Sequence, residues 1–133
     1  KNFKYKKKSI KTIDFLIYFR KHENKIKKFP FKLIKNLIYE GFKVNVVGDR
    51  LKIQGIINHG FIRNKKLLKL QKKTKFTIYS KENLYSIFIL ECISNNVIVL
   101  IEKSKKYKLA FFKDSFLRIN FEKKKELKKL NIV

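Results

Sequence analysis

The chain has 133 residues, is 44% hydrophobic, and sets 35 Lys and Arg against 10 Asp and Glu, a formal charge of +25. That apolar share excludes a disordered basic tail, and the length suits one domain or two small lobes sharing a core. Self-repulsion at +25 opposes compaction, so a polyanionic partner is the economical expectation.

Residues 1–8 read as a basic arm without the apolar stretch of a secretory signal, and a first residue other than Met fits a trimmed or processed start. Ser9 is placed to cap a helix running to about Lys21. Its apolar positions Ile10, Ile13, Leu16 and Ile17 fall at helical spacing, with Lys11, Asp14, Arg20 and Lys21 on other faces and Phe15, Tyr18 and Phe19 widening the stripe. A basic connector at 24–28 leads to Pro30, which fits the first turn of a second helix burying Leu33, Ile34, Leu37 and Ile38. Gly41 is placed for a left-handed cap, with Phe42 folding back on the helix. Phe42, Val44 and Val46 then alternate with polar residues, as do Leu51 and Ile53 beyond Gly48-Asp49, and this pattern predicts a hairpin.

Gly55 and an Asn58-His59-Gly60 turn break the next stretch, and residues 63–66 form a charged loop. Short strands are expected at 67–71 and 75–79. Residues 84–93 are apolar nearly throughout and fit a strand or a buried helix equally. After an Asn95-Asn96 turn come a buried strand at 97–101, a polar connector at 102–106, two further strands at 107–112 and 116–121, and an exposed basic helix at 122–130. The expected fold is therefore α+β in two small lobes. An N-terminal helix pair packs on a short antiparallel sheet over 9–63, a strand-rich lobe with a short helix occupies 64–121, and a basic helical extension covers 122–133.

Chemistry-bearing residues are sparse. Cys92 is the single cysteine, which excludes an internal disulfide and a cysteine-built zinc site and fits a reducing compartment or a buried thiol. No apolar run exceeds five residues, the length of 97–101, which is too short to span a membrane. His22 and His59 lie near turns with no carboxylate or nucleophile at dyad spacing, and His22, His59, Cys92, Asp14, Asp49 and Asp114 show no metal-ligand spacing. Four scattered glycines form no phosphate cradle. The expectation is a protein that is not an enzyme, with no cofactor, no metal and no small-molecule substrate.

Basic clusters recur at 6–8, 25–28, 63–66, 72–75, 103–108 and 123–129, mostly in expected loops and termini. An A+T-rich coding sequence favours Lys over Arg but also has an A-rich codon for Glu, so it explains the choice of cation and not the excess of base over acid. Cations on loops can follow a phosphate backbone, and Phe3, Tyr5, Tyr79 and Tyr107 lie beside them, placed either to stack on unpaired bases or to pack in the core.

Four segments carry a family resemblance. Residues 13–20, Ile-Asp-Phe-Leu-Ile-Tyr-Phe-Arg, resemble a helix pattern of Asp, an apolar residue, Leu, and Arg six residues after the Asp; residues 35–42 close a Leu-containing helix with Glu40-Gly41-Phe42; residues 77–84 are similar to a Tyr-Lys-x-x-Asp-Glu-Leu segment; and residues 97–101 resemble an apolar strand that carries an RNA-binding signature. In this order they resemble the eighth protein of the small ribosomal subunit, in its bacterial and organellar form. After the last strand the family has Ser-Thr-Ser-Lys-Gly where this chain reads Ile101-Glu102-Lys103-Ser104-Lys105, the proline expected just before the second helix is displaced or missing, and the segment after Phe121 extends past the usual end.

The resemblance implies a structural constituent of the ribosome that lies on the central domain of small-subunit ribosomal RNA beside neighbouring small-subunit ribosomal proteins. Lys103, Ser104, Lys105, Lys106, Tyr107 and Lys108 then form the central RNA contact, and Lys11, Arg20, Lys27 and Lys28 supporting phosphate contacts. Divergence with A+T-rich coding points to a mitochondrion, with a reduced plastid as the alternative. The rival readings are a non-ribosomal RNA-binding protein and a cationic membrane-surface protein using the helix from Ser9 and the C-terminal basic helix. Aromatics nearly all round that first helix suit a core better than a lipid interface.

Overall fold

The computed structural model describes residues 10–22, 29–79 and 86–132. The expected basic arm at 1–8 and the connector at 24–28 lie outside these.

Ile13–Phe19, expected as a helix, is a β-strand, β1. Phe15, Leu16 and Ile17 are at most 1% exposed, so consecutive side chains are buried on both faces. β1 also has a parallel neighbour on each edge, Val44–Gly48 (β2) with Phe19 opposite Gly48, and Thr74–Ile78 (β4) with Phe15 opposite Phe76. A strand enclosed in this way has no polar face, so its sequence shows a continuous apolar run in place of alternation.

Phe31–Tyr39 (α1) is the helix expected after Pro30. Its end has the anticipated form: Gly41 sits at φ +89°, its N–H donates to the Ile38 carbonyl at 3.0 Å, and the Phe42 N–H donates to the Leu37 carbonyl at 3.0 Å. This is a Schellman cap whose hydrophobic closure, Phe42 on the helix, enters the core.

The hairpin expected across Gly48-Asp49 is absent. β2 is buried at every position and runs parallel to β1, and residues 49–56 connect it to the parallel edge strand Ile57–Gly60 (β3). The charged loop and the strand expected at 63–71 are instead the helix Asn64–Lys72 (α2), and the apolar stretch ending at Ile93 resolves to the helix Ile87–Ser94 (α3). Strands expected near 75–79, 97–101 and 116–121 are present as β4, Ile98–Glu102 (β5) and Phe116–Ile119 (β6). Residues 107–112 form no strand: Phe111 and Phe112 are exposed, and Phe112 takes the left-handed conformation at φ +56°. The basic C-terminal helix, Lys124–Lys128 (α4), is not wholly exposed, since Leu127 and Leu130 are buried in the main core.

The strands form one parallel sheet in the order β3-β2-β1-β4-β5-β6. The expected α+β arrangement, an N-terminal helix pair on a short antiparallel sheet, is therefore corrected to α/β. α1 and α4 cover one face, where Leu33, Ile34, Leu37 and Leu127 meet Phe15, Ile17, Val44, Val46 and Phe76. α2 and α3 lie on the other, where Ile89 and Ile93 meet Val99 and Ile101, and the Phe88 ring packs at a tilt against Tyr18 with centroids 5.5 Å apart. Parallel sheets need this double cover, and the strand order is one of the common doubly wound orders. No helix among the described residues is long and apolar enough to cross a membrane.

Candidate anion-binding site at the carboxyl edge

In a doubly wound sheet the chain leaves adjacent central strands in opposite directions, which opens a crevice outside their carboxyl ends. Here those strands are β1, followed by Arg20-Lys21-His22, and β4, followed by Tyr79 and, further on, by α3.

Arg20 is the first residue after β1 and stands at this switch point. Its Nη1 donates to the Tyr18 hydroxyl at 3.1 Å, its Nη2 lies 3.4 Å from His22 Nε2, its Nε lies 3.6 Å from Asp49 Oδ2, and its guanidinium sits 5.2 Å from the centre of the Phe61 ring. Three strand ends thus converge on one side chain and hold its planar fork in place, a role for which lysine has neither the geometry nor the stacking surface.

Gly48 permits this convergence. At φ +97° it brings β2 so near β1 that a Cβ would lie 2.3 Å from the Phe19 carbonyl oxygen. The Asp49 N–H donates to that oxygen at 2.8 Å, and Asp49 Oδ2 in turn accepts the Lys21 N–H at 2.7 Å. On the far side of the crevice, Ser86 caps α3 by accepting the Ile89 N–H at 3.3 Å. The Phe88–Tyr18 contact sets the first turn of α3 over the end of β1, adding its positive N-terminal dipole to the same region.

The run 103–108 leaves the sheet at the same edge, beyond β5. With neighbouring strands about 4.8 Å apart, it begins roughly 10 Å from the end of β1. The Glu102 carboxylate accepts the Phe121 N–H at 3.1 Å and the Ser104 N–H at 3.4 Å, and the Arg118 guanidinium donates to the Tyr107 carbonyl at 3.0 Å and the Lys105 carbonyl at 3.4 Å. Lys103 pairs with Glu126 at 3.9 Å; Glu126 also accepts the Asn120 N–H, which holds its carboxyl below the usual range, aided by nearby lysines. The Tyr107 ring meets Tyr79 edge-on at 5.2 Å, so it is not a free stacking platform. Ser104, Lys105, Lys106 and Lys108 are exposed.

Of the remaining expected contacts, Lys11 is at the opposite edge, where its ammonium donates to the Asn95 carbonyl at 2.7 Å and burial pushes its pKa down. Lys27 and Lys28 lie outside the described residues. His59 lies 2.7 Å from Asn45 Oδ1, with its pKa lowered by burial and then by Lys66, a structural position on β3. Cys92 is fully buried and its thiol is pushed up to about 12, chiefly by burial, so it is no nucleophile. Among the described residues no group of three or more His, Cys, Asp or Glu could hold a metal ion.

Sequence reasoning singled out Arg20 but missed Tyr18, Asp49 and Phe61 around it. A signal was available in the arginines. The chain has four, and three of them, Arg20, Arg50 and Arg63, fall within three residues of the carboxyl ends of β1, β2 and β3. Coding bias fills a surface with Lys; it does not place the rare Arg at one edge of a sheet.

Comparison of the chain with protein-family models gives no match, and comparison with curated proteins gives none either.

Proposed function

We propose that the crevice at the β1–β4 switch point binds a nucleoside diphosphate or an ester of one, such as a nucleotide-activated sugar, and that the chain is the nucleotide-holding part of a group-transfer enzyme. The observation that carries this reading is Arg20, fixed by three strand ends at the point where this strand order opens its crevice, beside the first turn of α3. The turn after β1 reads Arg20-Lys21-His22, with neither the glycines of a dinucleotide fingerprint nor a P-loop. Phosphates are therefore met by side-chain cations and a helix terminus, not by a glycine-lined backbone cradle. In group transfer from such a donor, negative charge grows on the departing diphosphate, and a guanidinium already oriented by Asp49, Tyr18 and Phe61 stabilises it without reorganising.

Calorimetric titration of the folded chain with uridine, guanosine and adenosine diphosphates tests this. At least one should bind, and Arg20→Ala should weaken it about tenfold or more, the cost of a lost charge-assisted contact. No binding by any of the three, or equal binding by Arg20→Ala, overturns the proposal. A second reading, an RNA partner such as the small-subunit ribosomal RNA, is favoured by the exposed lysines of 103–108. Salt-dependent RNA binding that survives Arg20→Ala and is lost on joint replacement of Lys103, Lys105 and Lys106 by Ala would establish it instead.

A further inference from the structure

Arg20 and Lys21 serve opposite faces of the sheet. Arg20 lies with Tyr18 on the α3 side, whereas Lys21 lines a separate cleft of about 290 Å³ on the α1 side. Four cations surround this cleft: Lys21, Lys35 from α1, and Arg50 and Lys52 from the connection between β2 and β3. Its apolar walls include Phe31 and Ile53, both half-buried.

The local structure explains the convergence. Phe31 and Lys35 are one turn apart on α1 and so share a face. Leu51 is buried at 3% exposure, which turns its neighbours Arg50 and Lys52 outward, and the Ile53 N–H donates to the Leu51 carbonyl at 3.0 Å, closing a tight turn with Lys52 at its middle. No carboxylate lines the cleft among the described residues, and none of the four cations has an ion pair there. Holding four like charges around so small a volume is unfavourable until an anion enters.

We propose that this cleft is a binding site for a small organic phosphate, its phosphoryl group held by Lys21, Lys35, Arg50 and Lys52 and its apolar part resting on Phe31 and Ile53. The volume sits at the small end of ligand pockets, which suits a phosphorylated molecule of one ring or a short chain. Charge selects the phosphoryl group, and the apolar walls distinguish an organic ester from inorganic phosphate, which gains nothing from them. The site is separate from the Arg20 crevice and does not depend on what that crevice holds.

Titration of the full chain with phenyl phosphate and with inorganic phosphate decides the matter. Phenyl phosphate should bind more tightly. Joint replacement Arg50→Ala and Lys52→Ala should weaken it about tenfold or more, and Lys35→Ala, from a different element, should weaken it less but measurably. All three residues are exposed, so circular dichroism should show these variants folded. Joint replacement Lys65→Ala and Lys66→Ala removes the same charge from α2 and should leave the affinity unchanged. Equal losses with the Lys65 and Lys66 pair would show that binding follows net charge alone. That result, or equal affinity for the two phosphates, overturns the proposal.

Discussion

The two edges of the sheet use the same charged residue types for different ends. At the amino edge, Lys11 is bonded to the Asn95 carbonyl, Lys75 pairs with Asp14 at 3.6 Å, and Asp14 accepts the Lys43 N–H at 2.8 Å. Gln71, Thr74 and Asn95 complete a stitched network there, with Asn95 Nδ2 donating to Gln71 Oε1 and the Thr74 hydroxyl donating to the Leu70 carbonyl. At the carboxyl edge the carboxylates of Asp49, Glu102 and Glu126 accept the backbone N–H groups of Lys21, Phe121 and Asn120 and so tie neighbouring loops together. Acids that anchor loops cannot also neutralise every neighbouring cation, so that edge keeps a positive excess. The +25 charge is therefore not uniform in purpose: the amino edge ties Lys11 and Lys75 into holding the fold, and the carboxyl edge, beside its own pairs, leaves Lys21, Lys35, Arg50 and Lys52 around an open cleft.

The largest expected effect breaks the carboxyl edge at its seat. Gly48→Ala would place a Cβ 2.3 Å from the Phe19 carbonyl oxygen at a residue whose φ of +97° already disfavours a side chain. The loss in stability should be about 3 kcal/mol or more, since backbone strain and a steric clash add. Gly60→Ala supplies the contrast: φ is +72° but nothing lies within 4 Å of the added Cβ, so the cost should be nearer 1 kcal/mol. Urea denaturation of both variants measures the difference, and equal costs would show that the close approach of β2 to β1 is not what Gly48 serves.

A smaller effect, set by pH, belongs to Cys92, beside the amino-edge network. Its thiol ionises near 9.0 in an unfolded chain but only at about 12 when folded, chiefly because burial disfavours the thiolate. Between those values the unfolded chain has released a proton that the folded chain retains. Stability therefore falls as pH rises from 9 toward 12, by up to about 1.4 kcal/mol per pH unit, and is unaffected by this group below 9. Cys92→Ala should be less stable at pH 7, from the small cavity, and should show a shallower decline above pH 9. Parallel declines in the two proteins would remove the thiol as the cause.

What the sequence disclosed follows from which signals are local. The Gly41 cap and Phe42 closure were legible because every participant lies within six residues. The helix predicted over residues 9–21 failed because Ile13, Leu16 and Ile17 satisfy a helical spacing by accident within a run buried on both faces. The predicted hairpin failed because Gly48 spends its positive φ on a close approach to Phe19, not on reversing the chain. The candidate site was half visible for the same reason. The lysine run 103–108 can be read from the chain, but Asp49 and Phe61 reach Arg20 only through strand order, which no local pattern encodes.

The finest test of the two edges compares Asp14→Asn with Asp49→Asn. Both carboxylates accept one backbone N–H and stand 3.6 Å from one cation, and both side chains remain partly exposed. Asn keeps an oxygen for the N–H and removes only the charge, so each variant should lose about 0.5 kcal/mol of stability, the scale of a screened ion pair. Their effects on anion binding should differ. Asp14 lies at the amino edge, across the sheet from the crevice, and its loss should leave nucleoside diphosphate affinity unchanged. Replacing Asp49 removes the carboxylate that stands 3.6 Å from the Arg20 guanidinium and should raise that affinity two- to fivefold, roughly the Coulomb energy of one charge a few ångströms away in a partly aqueous setting. The gain should shrink as salt rises, because the screening length near 0.15 M is only about 8 Å. An equal change in both variants would mean that the ligand senses total charge, and that the division of labour between the edges does not extend to binding.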